Sequence, residues 1–171
     1  QACLDHTFGG KITSCLVNPR ACHETELVIA PATKTKRIAV VGAGPAGLSF
    51  AVTAAERGHS VELFDSASEI GGQFNIAKKV PGKEEFFETL RYFDRQLKLR
   101  GVKLSLNTRV SADALKAAGF DEIVLATGVT PRTPDIDGVN HPKVMGYLDV
   151  LRDGKPVGKN VAVIGAGGIG F

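Results

Sequence analysis

Arg37-Ile38-Ala39-Val40-Val41-Gly42-Ala43-Gly44-Pro45-Ala46-Gly47 joins an apolar, partly β-branched run to glycines spaced Gly-x-Gly-x-x-Gly. An apolar run without alternation is what a parallel strand covered on both faces requires. Pro45 suits the first turn of a helix, which the pattern carries through Leu48, Ala51, Val52 and Ala55 and stops at Gly58. Ser60 to Phe64 reads as a second strand. Strand, glycine turn, helix and strand together predict half of a doubly wound α/β sheet. In such a turn the first glycine, Gly42, permits the bend and the second, Gly44, lets backbone approach a pyrophosphate. The third, Gly47, lets helix and strand pack closely. The phosphates rest on free N–H groups at the helix N-terminus, where Pro45 and Ala46 follow.

The pattern alone is weak, but it is answered by Asp65 after the second strand, at the spacing where an acid accepts a hydrogen bond from an adenosine ribose 2′-OH. A carboxylate there repels a 2′-phosphate, so this site is expected to take FAD or NAD and not NADP. A second copy of the turn, Val163-Ile164-Gly165-Ala166-Gly167-Gly168-Ile169-Gly170, closes the chain. With Gly165, Gly167 and Gly170 as its glycines, it is expected to follow a strand at Val161 to Ile164 that begins another sheet. Two such turns point to an oxidoreductase that passes electrons between a flavin dinucleotide and a nicotinamide dinucleotide, and the chain reads as a piece of it.

Between the two turns, Lys83 to Arg100 carries Phe86, Phe87, Leu90, Phe93 and Leu97 at helical spacing, which predicts an amphipathic helix whose aromatics are core. Strands are expected at Val102 to Leu106 and Glu122 to Ala126. A short helix near Ala112 to Ala118 lies between them, capped by Ser111. Thr127 to Val139, rich in Pro and Gly, reads as a linker. Residues 1 to 36 read as a loop-rich connector with a possible short strand at Val28 to Ala30.

Composition narrows the class. With 171 residues, 43% hydrophobic and 23% charged, the chain suits a globular α/β domain. Its apolar runs are too short to span a bilayer. A net charge of +3, with one small cluster at Lys34, Lys36 and Arg37, lacks the concentrated basic face of a nucleic-acid binder. The first residues show no basic-then-apolar secretory order and read as an internal cut. Three cysteines fit a reducing cytoplasm. From spacing alone, Cys3, Cys15 and Cys22 are compatible with idle thiols. Zinc through Cys22 and His23 is poor, because adjacent residues seldom reach one metal together.

Several stretches carry a resemblance: Gln1-Ala2-Cys3-Leu4-Asp5, Asn18-Pro19-Arg20-Ala21-Cys22-His23-Glu24, Gly71-Gly72-Gln73-Phe74-Asn75-Ile76-Ala77-Lys78 and Thr127-Gly128-Val129-Thr130-Pro131-Arg132. Over essentially its whole length the chain resembles the middle of bacterial NADPH-dependent 2,4-dienoyl-CoA reductases. The resemblance implies a (β/α)8 barrel with FMN and the substrate site before this segment, then a 4Fe-4S cluster, then an FAD module into which an NADPH domain is inserted. The family's cluster motif is Cys-x2-Cys-x3-Cys-x11-Cys; Cys3 and Cys15 match its last two positions and Cys22 matches none.

The resemblance tilts the first site to FAD, which the residues alone do not separate from NAD. It also adds Gly72, Gln73, Val110, Thr127 and Gly128 to the cofactor contacts. It implies three parts: an iron–sulfur connector over 1–36, an incomplete FAD-binding Rossmann-like domain over 37–135, and over 136–171 a linker with the truncated start of an NAD(P)H domain. Electrons would run from NADPH through FAD and the cluster to FMN, which reduces the dienoyl-CoA of unsaturated fatty-acid β-oxidation. No catalytic residue is expected in this chain, no nucleic-acid or membrane partner is expected, and the oligomeric state is open. Enoate reductases, trimethylamine dehydrogenase and the small subunit of glutamate synthase share much of this plan. A non-catalytic nucleotide-binding domain is the alternative of another class.

Overall fold

The computed structural model describes residues 2–15 and 18–165. In chain order its elements are α1 (Ala2–Phe8), β1 (Arg37–Val41), α2 (Pro45–Glu56), β2 (Ser60–Phe64), α3 (Phe74–Ala77), α4 (Phe86–Leu99), β3 (Lys103–Ser105), α5 (Ala112–Ala117), β4 (Glu122–Leu125) and α6 (Tyr147–Leu151). The strands form one parallel sheet in the order β3-β2-β1-β4. β1 is interior to the sheet, and its register sets Val40 beside Leu63 on one side and Val124 on the other.

Both faces of β1 are covered over Ile38 to Val40, which is why the strand is apolar there, with the charged Arg37 exposed at its start. On one face Ile38 and Val40 pack with Leu48, Ala51 and Val52 of α2, Val61 and Leu63 of β2, and Leu90 and Leu97 of α4. The opposite face is thinner: Ala39 meets Phe64 and Leu115, with Val41, Val110 and Phe120 partly buried against them. Beside Ala39 and Val41 on that same face lie Ile123 and Leu125 of β4, 40% and 73% exposed. The larger cluster therefore carries most of the stabilisation. Leu63 is fully buried there, and Leu63→Ala is expected to cost about 3 kcal/mol of unfolding free energy. A urea-midpoint shift worth less than about 1 kcal/mol would show that the residue does not sit in a close-packed core.

The capped helix after Ser111 is present. The Ser111 hydroxyl accepts the Ala114 N–H at 3.2 Å, satisfying one of the orphan donors of α5. Three expectations need correction. The aromatics of α4 are not all core: Leu90 and Leu97 are its buried residues, and Phe87 is 51% exposed with the Lys78 ammonium 4.9 Å from its ring centroid. Phe86 instead stacks on Phe74 at 4.7 Å. Two α4 faces are thus in use, one on the sheet and one on α3.

Val28 to Ala30 forms no strand; the Ala30 N–H turns back to the Val28 carbonyl at 3.1 Å, a local bond in place of a ladder. Val161 to Ile164 also forms no strand. A strand needs a partner to take up its backbone groups, and no described strand lies beside this segment, whose Val161, Val163 and Ile164 are exposed. The connector is loop-rich, with α1 its one regular element among the described residues.

α6 lies beyond the linker. The Asp149 carboxylate accepts the Gly146 N–H at 2.8 Å at the start of that helix. A hydrogen bond from Lys155, then the Gly146 N–H, holds this carboxyl below the usual carboxylate range. Lys79, just past α3, donates to the Leu151 carbonyl at 2.8 Å and so ties the end of α6 to the α3 segment. No helix among the described residues is long and apolar enough to cross a membrane.

Candidate functional site

The glycine turn lies at the carboxyl end of β1, where open parallel sheets bind ligands. Each of its glycines has a different physical reason. At Gly42 the backbone turns with φ +109, and a Cβ would lie 2.2 Å from the Ala126 carbonyl oxygen after β4. No side chain fits there. At Gly47 a Cβ would lie 1.8 Å from the Gly42 carbonyl oxygen, so this position lets α2 sit directly on the turn.

Gly44 is different. Its φ of −75 and ψ of 178 are open to any residue, and a Cβ there would meet no protein atom within 4 Å. Neither the backbone nor the packing of this chain requires glycine at position 44. The space beyond it is a cradle that a side chain would fill. Gly44 is the N-cap of α2 and Pro45 its first residue, so the N–H groups of Ala46 and Gly47 belong to the first turn, whose donors have no acceptor within the helix.

Two further loops close on the turn. The Gly71 N–H donates to the Ala43 carbonyl at 2.8 Å, and a Cβ on Gly72 would lie 3.2 Å from the Gly44 Cα. Gly72 thus lies against the cradle. Gln73 donates its side-chain N–H to the Val129 carbonyl at 2.6 Å, which joins this loop to the segment leaving Thr127 and Gly128. The Ala126 N–H in turn donates to the Val41 carbonyl at 2.8 Å. The structure therefore gathers Gly42, Gly44, Pro45, Ala46, Gly47, Gly72, Gln73, Thr127 and Gly128 at one end of the sheet.

Asp65 follows β2, half-buried, with Oδ2 accepting the Ala43 N–H at 2.6 Å and Oδ1 accepting the Ala67 N–H at 2.8 Å. Sequence reasoning placed this acid near a ribose but missed its bonds to the turn. Val110 packs on the thin-face cluster of Ala39, Phe64 and Leu115, so its side chain serves packing. In the second glycine turn Gly165 has φ +110, close to that of Gly42, while Gly167 and Gly170 lie outside the described residues.

Cys3 and Cys15 are half-buried, and the Asn18 N–H donates to Cys15 Sγ at 3.4 Å. Cys22 is exposed in a left-handed backbone conformation, φ 63. No group of three or more His, Cys, Asp or Glu side chains able to hold a metal ion occurs among the described residues.

A parallel sheet whose central strand feeds a Gly-x-Gly-x-x-Gly turn and a helix N-terminus, with an acid after the next strand, defines a Rossmann-like dinucleotide-binding module. Comparison with known proteins makes the class narrower. Residues 36–171 match the model of the family described as pyridine nucleotide-disulphide oxidoreductase. The chain belongs to this family of FAD- and NAD(P)-binding oxidoreductase modules.

It is 37% identical to a metal reductase of Desulforamulus reducens, over 99% of this chain and 26% of that protein. To a cinnamate reductase of Clostridium sporogenes it is 36% identical, over 99% of this chain and 25% of that protein. Among solved structures, a 2-naphthoyl-CoA reductase in complex with 2-naphthoyl-CoA superposes with a TM-score of 0.87 at 39% identity, covering 92% of this chain and 24% of that one. The chain thus spans about a quarter of the length of these relatives.

Proposed function

We propose that this chain is the FAD-holding, electron-transfer part of an NADPH-dependent reductase of conjugated acyl compounds, of the 2,4-dienoyl-CoA reductase kind. The observation that carries the reading is the open cradle at Gly44, a glycine the fold itself does not need. A pyrophosphate needs it, because the phosphate oxygens must approach the backbone closely enough to accept its N–H groups. In this reading Gly42 and Gly47 shape the turn, the N–H groups of Gly44, Ala46 and Gly47 bind the pyrophosphate, and Asp65 accepts from the adenosine ribose. Gly72, Gln73, Thr127 and Gly128 face the rest of the dinucleotide. Bound there, FAD supplies a carrier that accepts a hydride from a nicotinamide and releases electrons onward.

The similarity to proteins named for reducing cinnamate and 2-naphthoyl-CoA supports an acyl acceptor conjugated to a double bond or ring, with the dienoyl-CoA of fatty-acid β-oxidation as one member of that class. In this reading the acceptor and FMN are held outside these 171 residues, which span about a quarter of the relatives' length. NADPH belongs to the second turn. Cys3 and Cys15 supply two thiols toward a 4Fe-4S cluster that takes four, so the described residues do not by themselves fit that group. The division proposed is a connector over 1–36, an FAD module over 37–135 and the start of an NAD(P)H module over 136–171. The alternative reading is the FAD and NAD(P)H module of another iron–sulfur flavin oxidoreductase, of the enoate reductase or glutamate synthase small-subunit type.

Titration of the purified chain with FAD, followed by visible spectrum and flavin fluorescence, tests the reading. FAD is expected to bind, and FMN, which lacks the adenosine pyrophosphate, to bind at least about tenfold more weakly, a difference of about 1.4 kcal/mol. Equal affinity for FAD and FMN would mean that the glycine turn does not hold the pyrophosphate.

A further inference from the structure

Ala43, the residue between the first two glycines, is fully buried, and both of its backbone polar groups are held from other loops. Its N–H goes to Asp65 Oδ2 at 2.6 Å and its carbonyl accepts the Gly71 N–H at 2.8 Å. Asp65 is itself pinned at four points. Beyond Ala43, its Oδ1 takes the Ala67 N–H at 2.8 Å, its own N–H donates to the Ser105 carbonyl at 3.0 Å, and its carbonyl accepts the Thr108 N–H at 2.8 Å. Asp65 is therefore a strut between the end of β3, which its backbone N–H reaches at Ser105, and the glycine turn, which Oδ2 reaches at Ala43, while Oδ1 is held locally by the Ala67 N–H. A bond from an N–H to an ionised carboxylate is among the stronger kinds.

We propose that Asp65 is a positioning residue: by holding the Ala43 N–H it fixes the orientation of the next backbone units, so that the N–H groups from Gly44 onward are aimed before any ligand arrives. This rests on the reading that the turn takes a dinucleotide pyrophosphate. It differs from a ribose contact in what it predicts. A ribose contact acts only when the 2′-OH is present, whereas a strut acts on every ligand of the turn and on the ligand-free protein. Ribose hydroxyls would then add to a carboxylate already ordered, using lone pairs left on the same two oxygens.

Asp65→Asn separates the roles. An amide keeps one acceptor oxygen, so it could still receive a ribose hydroxyl, but its NH2 must face either the Ala43 or the Ala67 N–H, donor against donor. In the wild-type 171-residue chain without ligand, NMR is expected to show a through-hydrogen-bond coupling between the Ala43 nitrogen and the Asp65 carboxyl carbon. In Asp65→Asn the Ala43 amide should exchange about tenfold faster or more while the Leu63 and Leu104 amides keep their rates, and ADP and 2′-deoxy-ADP should weaken by the same factor. If the variant weakens ADP and leaves 2′-deoxy-ADP unchanged, Asp65 is a ribose contact only and the proposal fails. It fails equally if the coupling is absent and Ala43 exchange in the wild type is unprotected, a measurement that needs no variant to fold. Failure of the wild-type chain to bind FAD or ADP removes the dinucleotide reading, and the coupling and exchange data then still decide whether the strut exists.

Discussion

Gly44→Val is expected to abolish FAD binding while costing the ligand-free protein no more than about 1 kcal/mol, the effect of replacing glycine at an N-cap. The backbone at position 44, φ −75 and ψ 178, lies in a region that β-branched residues occupy freely, and an added Cβ meets no protein atom within 4 Å. The valine side chain instead fills the cradle where a pyrophosphate would rest. A loss of at least about 100-fold in affinity, about 2.7 kcal/mol, should appear in a flavin fluorescence titration. The thermal midpoint of the ligand-free protein should move by no more than a substitution of about 1 kcal/mol allows. Retained FAD affinity in this variant would sink the assignment of the turn. A collapse of the apo fold would show that the space above Gly44 belongs to the protein.

Gly47→Ala should do the reverse, acting first on the fold. In an ordinary helix this substitution adds about 1 kcal/mol of stability, since alanine is the better helix former. Here the new Cβ would lie 1.8 Å from the Gly42 carbonyl oxygen and 3.3 Å from Ala126 Cβ, so α2 must lift from the turn. A cost of about 3 kcal/mol or more is expected, because the nearest atom is backbone that is itself tied to β2 through the bond from Gly42 N–H to the Phe64 carbonyl at 2.8 Å. Urea unfolding reads it directly. A stabilised Gly47→Ala protein would mean that helix and turn are not in contact as described. Together the two variants divide one motif into a glycine kept for the ligand and a glycine kept for the fold.

Much of this was legible from residues in order. β1, α2 and β2 each fall at the expected positions, because a continuous apolar run, a proline at a helix start and a glycine past its end are local signals with local causes. The helix capped by Ser111 was legible for the same reason. The short helices α1, α3 and α6 were not, since a stretch of four to seven residues holds too little of an apolar period to declare itself. Phe87 misled because helical spacing says which residues share a face but not whether anything covers that face, and in α4 the covered stripe is narrow. Val161 to Ile164 misled because a strand is a property of a pair.

By itself the sequence determined that a parallel α/β sheet carries a phosphate-type turn at the end of its first strand, because both rest on residue type and spacing along a few consecutive positions. Only the tertiary structure decided why each glycine is there and what Asp65 touches. Gly42 and Gly47 are required by atoms of Ala126 and of the turn itself, Gly44 by no protein atom, and the Asp65 carboxylate reaches Ala43 across the gap between two strands. These are distances between residues brought together by the sheet. Chain order does not contain them: a backbone oxygen 2 Å from where a side chain would start is a fact about packing, and packing exists only once β1, β2 and β4 lie side by side.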